Sequence, residues 1–297
     1  MNSSDAVASQ TLAPSVTSLE AVAIREPTTP PPTPTVVVEP TVRPQTMFQC
    51  AHQRLTELPS SSEAVEVNCG DNLLTGLPLF PELDKLSCFG NRLTEVPAFS
   101  KLRELNCLRN KITRLPAYPE LTTLTCATNP LLELGEYPEL VSLRCDETPL
   151  KELPEYPKLV RLQCNGCDLT GLPPAPLLNF LSCSQNPLDE LPMYPELASL
   201  TCRDSLLTQI PPYPILRKLD CENNQLKSLP EYPLLNKLFC ARNQITTMPY
   251  YPCLIEVDLT GNPIADEMED PTDMEEYHRL FRPQSDEASS AGACVIA

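Results

Sequence analysis

Apolar side chains recur along this chain with a period of 19 residues, and a cysteine marks each period: Cys50, Cys69, Cys88, Cys107, Cys126, Cys145, Cys164, Cys183, Cys202, Cys221 and Cys240. One step further stands Leu259, an apolar residue in the same register. The order of apolar and polar positions within a period is constant, as in Leu102-Arg-Glu-Leu105-Asn-Cys107-Leu-Arg-Asn110-Lys-Ile112, then Leu115-Pro116-Ala-Tyr118-Pro119. Self-similarity of this kind predicts units stacked in a row, none able to bury its apolar face alone. Twelve such units fit between about Met47 and Ile264.

The spacing L-x-x-L-x-C-x-x-N-x-L is that of a leucine-rich repeat with cysteine at a strand position. Its first half predicts a short parallel strand on the concave side, with Leu105 and Cys107 of that unit turned into the core. Asn72, Asn91, Asn110, Asn129, Asn186, Asn224, Asn243 and Asn262 share one position. Their amides are expected to bond turn backbone in a ladder. Thr148, Cys167 and Ser205 stand there instead, so the middle of the stack is expected to be less regular.

The second half, Leu-Pro-x-Tyr-Pro, cannot be helical, because two prolines within four residues remove donors and push their neighbours out of the α region. The convex side is therefore expected to be extended or polyproline-like. Tyr118, Tyr137, Tyr156, Tyr194, Tyr213, Tyr232 and Tyr251 recur along it and are expected to stack with their hydroxyls facing water. The fold class is a leucine-rich repeat solenoid of about twelve 19-residue repeats, closed by a short capping helix.

Residues 1–45 read as a leader rich in Pro, Thr and Ser without the composition of a core, 46–264 as the repeat domain, 265–283 as an acidic capping segment, and 284–297 as a flexible tail. In the capping segment, Asp270 as N-cap and Pro271 at the first helical position predict a helix with Met274, Tyr277, Leu280 and Phe281 on one face. No equally clear cap precedes Phe48.

Composition narrows the function. The net charge of −17 speaks against nucleic acid and against direct adhesion to anionic lipid. Fourteen cysteines would suggest a disulfide framework, but neighbouring strands stand ~4.8 Å apart while a disulfide wants Cβ atoms about 3.5–4.5 Å apart. The ladder thiols therefore read as small buried hydrophobes in a reducing compartment. No stretch is long and apolar enough to span a bilayer, and the start lacks the features of a signal peptide. Asn2 stands where N-myristoylation needs glycine.

Two features carry the expected chemistry. Cys294-Val295-Ile296-Ala297 is a C-a-a-X box of the farnesyl type, out of register with the ladder and approached through a Ser/Ala/Gly-rich stretch. One prenyl chain alone holds a membrane marginally, so a membrane-bound protein partner is the natural second signal. The other feature is the concave sheet face, at positions three and one before and one and two after each cysteine. Phe89, Leu108, Phe180 and Phe239 are its large apolar residues, and Arg109, Arg144, Arg161, Arg203 and Arg242 project there too. Aromatic and arginine side chains are the preferred anchors of protein interfaces.

No cofactor, metal or catalytic set is expected. Cys164 and Cys167 form a lone C-x-x-C without a second pair or a nearby histidine, and His52 and His278 lie at opposite ends of the stack. An enzyme acting through a ladder thiol, such as a ubiquitin ligase, is the rival class, and it requires an exposed electropositive cysteine.

With its units laid out, the chain resembles the bacterial leucine-rich repeat effectors of the YopM and IpaH type, which share the short unit seen in Leu153-Pro154-Glu-Tyr-Pro157. It departs from them in its 19-residue unit, its strand cysteine and its tyrosine between prolines. Only 33 residues follow Ile264, so the ligase domain of the IpaH branch is not implied. Bacteria do not prenylate C-a-a-X boxes, and the combination is similar to prenylated effectors of intracellular bacteria such as Legionella. Glu267–Glu276 resembles the acidic segments that accompany type IV translocation there, though it lies further from the end. The resemblance implies secretion into a host cell, modification by a host prenyltransferase, and binding of a host protein at a host membrane. A eukaryotic cytosolic repeat protein that is itself prenylated is the alternative.

Overall fold

The computed structural model describes residues 46–60 and 63–283. The expected leader, the tail and Cys294 lie outside the described residues. Twelve strands form one parallel sheet in strict chain order. They are β1 (Thr46–Gln49), β2 (Ala64–Asn68), β3 (Lys85–Ser87), β4 (Glu104–Asn106), β5 (Thr123–Thr125), β6 (Ser142–Arg144), β7 (Arg161–Gln163), β8 (Phe180–Ser182), β9 (Ser199–Thr201), β10 (Lys218–Asp220), β11 (Lys237–Phe239) and β12 (Glu256–Asp258). The fold is the leucine-rich repeat solenoid that the period predicts.

Each turn buries the same positions. In the unit of Cys107 these are Leu102, Leu105, Cys107, Asn110, Ile112, Leu115 and Tyr118. The asparagine ladder forms as expected. The Asn110 amide donates to the carbonyls of Cys88 and Cys107 at 3.0 Å each, and its oxygen accepts from the Leu93 N–H at 3.1 Å. Each asparagine thus ties its own turn to the one before, satisfying donors and acceptors that the core would otherwise strand.

The middle of the stack keeps its register, contrary to expectation. Strands β5 to β9 pair residue for residue without a shift, and the irregularity falls instead between Thr46 and Met47 at the first strand. Smaller donors take over part of the missing ladder. The Thr148 hydroxyl and the Cys167 thiol both donate to the Cys145 carbonyl, at 2.6 and 3.3 Å.

The tyrosines depart from expectation more sharply. All seven are buried, and their hydroxyls do not face water. Each donates to a backbone carbonyl 21 residues earlier, from Tyr118 to Pro97 at 3.2 Å through Tyr251 to Pro230 at 2.8 Å. Proline removes the N–H of that segment but leaves its carbonyl, and the phenol supplies the missing donor. Neighbouring rings stack at 6.1–6.3 Å between centroids. Phe80 and Phe99 continue the column toward the first repeats, and Ala175 interrupts it.

The capping helix α1 runs from Met274 to Phe281, three residues later than expected. Asp273 is its N-cap, accepting from the N–H groups of Glu275 and Glu276. Asp270 instead closes a turn, taking the N–H and hydroxyl of Thr272 at 2.9 and 2.7 Å. Tyr277 is fully buried, and its hydroxyl accepts the Tyr251 N–H at 2.9 Å. Met274 and Phe281 also pack on the core, whereas Leu280 is exposed. Among the described residues no helix is long and apolar enough to cross a membrane.

Candidate functional site: the outer face of the sheet

Strands of three residues leave two side chains each on the outer face, and the residue after the cysteine adds a third. Phe89 and Leu108 occupy that third position on neighbouring rungs, both half-buried. The Phe89 ring lies over Gly70 of the preceding rung, where a Cβ would collide with it. Glycine at this one place is what lets the ring lie down on the sheet. His52 meets the ring edge-on at 6.4 Å between centroids, and its Nδ1 is 3.3 Å from an Asp71 carboxylate oxygen. Beside this apolar pair lies a recess of about 270 Å³ lined by Glu66, Asn68, Lys85, Ser87, Glu104 and Asn106 among others.

The other anchors are not gathered with Phe89 and Leu108. Arg161 and Phe180 stand opposite each other in register, with the guanidinium 4.4 Å from the ring centroid. Phe239 is half-buried at the end of β11. Arg144 is held by Asp146 at 2.7 Å, and Arg203 by Asp220 at 2.6 Å and Glu222 at 3.2 Å. These two arginines are committed to neighbours within the protein.

Arg109 and Arg242 belong to a different feature. The residue two after the cysteine has positive φ in every repeat, from 50° at Asp71 to 71° at Gly261. It forms the left-handed corner by which the chain leaves the sheet, so Arg109 (φ 56°) and Arg242 (φ 57°) are exposed turn residues beyond the strand. Arginine itself gives no sign of this; the sign lies in other repeats, where Gly90, Gly166 and Gly261, and less strongly His52, Asp71, Asp204 and Asn223, are residue types that favour such a corner.

Sequence reasoning also missed a chain of polar contacts across β6 to β10. Asp146 accepts from the Asn165 backbone and side-chain nitrogens at 2.9 and 2.8 Å. The Asn165 side-chain amide oxygen accepts from the Ser182 hydroxyl at 2.8 Å and the Ser184 N–H at 2.9 Å. The Ser184 hydroxyl accepts the Arg203 N–H at 3.0 Å, and Arg203 reaches Asp220. The other Asp220 oxygen is buried without a partner.

Burial pushes the ladder thiols up, to about 12 at Cys69, Cys107 and Cys183. Cys167 differs: the hydrogen bond with the Cys145 thiol, aided by Thr148, draws it down to about 7. It is only 4% exposed. Among the described residues no group of three or more His, Cys, Asp and Glu is placed to hold a metal ion.

No protein-family model matches the sequence, and no curated relative aligns with it. Solved structures do. The functional domain of InlJ from Listeria monocytogenes, described as including a cysteine ladder, is 27% identical with a TM-score of 0.62, over 69% of this chain and 55% of that one. The match therefore spans little more than half of the InlJ chain. YopM from Yersinia pestis, a leucine-rich effector protein, is 27% identical with a TM-score of 0.61, over 70% of this chain and 69% of that one. The leucine-rich repeat domain of APL1B has the same fold at 20% identity, with a TM-score of 0.58 over 68% of each chain. These likenesses indicate a protein-interaction scaffold with the fold of bacterial leucine-rich repeat proteins.

Proposed function

We propose that this chain is a non-enzymatic adaptor that holds a protein partner on the outer face of its sheet and carries it to a membrane. The observation that supports the binding half is the Phe89–Leu108 pair: two large apolar side chains on a mostly polar face, one seated on glycine, with a recess alongside. A rigid sheet loses little conformational freedom when its anchors are covered, which favours affinity for a given area.

The remainder of the proposal follows the C-a-a-X box and the resemblance to effectors. The protein would be secreted by a bacterium into a host cell, farnesylated on Cys294 by a host prenyltransferase, and would recruit or mask a host protein at a host membrane by raising its local concentration. The test is the intact mass of the C-terminal peptide after expression in human cells. The proposal expects a farnesyl group on Cys294 with Val295–Ala297 removed; an unmodified Cys294 would remove the anchor and leave a binding solenoid. Cys294→Ser is expected to move the protein from membranes to cytosol with unchanged circular dichroism.

One observation favours thiol chemistry, the lowered Cys167. Its burial works against the exposure a nucleophilic sulfur needs. Alkylation of the native protein followed by peptide mass mapping separates the readings, since rapid labelling at Cys167 supports the enzyme.

A further inference from the structure

Cations near the start of the strands fall into two sets. Lys85, Arg103 and Lys237 each meet a carboxylate one repeat away, on Glu104, Asp84 and Glu256. Arg161, Arg217 and Lys218 meet none among the described residues. All three unpaired cations belong to one stretch of the sheet. Arg161 pairs in register with Phe180, Phe180 with Ser199, and Ser199 with Lys218; Lys237 stands next in the row. Arg217 immediately precedes Lys218.

The row has two cationic ends and a low, partly aromatic middle. At one end the Arg161 guanidinium covers the Phe180 ring. At the other are Arg217 and Lys218, with Ala198 and Ser199 as small side chains between. At ~4.8 Å per strand step the two ends stand roughly 14 Å apart, which an extended chain covers in about four residues. In a protein of net charge −17 most of the surface repels an acidic ligand, and this row gathers three cations with no carboxylate partner among the described residues.

We infer that this row binds an acidic segment of a partner protein, extended across β7 to β10, with carboxylates about four residues apart that meet Arg161 at one end and Arg217 and Lys218 at the other. An apolar side chain midway lies against Phe180. The site shares no residue with the Phe89–Leu108 pair, so it goes beyond the binding role proposed for that pair and is tested separately from it.

The test is fluorescence anisotropy of the full chain with a fluorescein-labelled peptide in which two Asp-Asp pairs flank Ser-Leu-Ser. Saturable binding is expected, weakening as salt rises. Arg161→Glu, and separately Arg217→Glu with Lys218→Glu, are each expected to weaken it about tenfold or more, with native circular dichroism. Phe89→Asp with Leu108→Asp is expected to bind this peptide as the wild type does. A peptide of the same composition with its four Asp residues contiguous is expected to bind more weakly. Absence of saturable binding, equal binding by the charge-reversed proteins, or equal binding of the contiguous peptide would each overturn the proposal. Phosphatidylcholine vesicles containing phosphatidylserine are expected not to bind. If they bind through Arg217 and Lys218 while the peptide does not, the row recognises a lipid surface and the proposal is wrong.

Discussion

Between Asn72 and Asn129 the asparagine ladder is unbroken, and each amide closes its turn from inside the core. Between Thr148 and Ser205 only Asn186 keeps that role, yet the strands stay in register. There the cross-links run along the outer face, from Arg144 through Asp146, Asn165, Ser182 and Ser184 to Arg203 and Asp220. The inner ladder caps cysteine carbonyls, whereas the outer contacts take up the N–H groups of Asn165, Ser184 and Arg203. Phe89 and Leu108 lie where the inner ladder is complete, and in the other region the outer arginines Arg144 and Arg203 are tied to carboxylates of the fold.

The largest perturbation tests what the two regions share. Unfolded thiols ionise near 9.0, whereas burial holds Cys69, Cys107 and Cys183 near 12. Their contribution to stability is therefore complete below pH 9 and is lost as pH rises from 9 toward 12. Each ionised thiol of the unfolded chain steepens the loss by about 1.4 kcal/mol per pH unit. The urea midpoint is expected to collapse between pH 9 and 11; a midpoint flat to pH 11 would mean the ladder thiols are not desolvated. Cys167 has the opposite sign. Its depressed value adds stability above 9 that is lost as pH falls through about 7.

Substitution then separates the regions. Asn110→Ala strands the carbonyls of Cys88 and Cys107 and the Leu93 N–H, and is expected to cost about 3 kcal/mol in urea unfolding. Asn165→Ala removes the centre of the outer chain but exposes its partners to water, so about 1–2 kcal/mol is expected. Hydrogen exchange should place the loosening at β3–β5 in the first case and β6–β9 in the second. Equal and delocalised effects would refute the division. The smallest effect is a gain: Cys167→Asn restores a ladder amide between Cys145 and Cys164, and is expected to stabilise by about 1 kcal/mol. A loss there would show that the Thr148–Cys167 contact has its own fitted packing.

Much of this was legible in the sequence because the period is strict. The inward leucines, cysteines and asparagines repeat one residue type at one position, and their environments repeat with them. Features built from two repeats were harder to read. A tyrosine hydroxyl finds its acceptor 21 residues back, a distance set by how turns stack and not by any local pattern. The left-handed corner is Gly, Asp, Asn or His in seven of its twelve repeats, a weak signal, and Arg, Thr, Glu or Gln in the other five, which carry none. Asp146 and Asn165 look like ordinary surface residues until the rungs are laid side by side. The Arg161–Phe180 contact was within reach, since those residues are one period apart.

The central claim is that the outer face around Leu108 holds a protein, and photocrosslinking in living human cells tests it most directly. A benzoylphenylalanine placed at position 108 is expected to yield one discrete adduct that Phe89→Asp removes, while the same group at position 193, exposed in a proline-bearing segment away from the strands, yields none. Adducts that form equally at 108 and 193, or that survive Phe89→Asp, would contradict the account.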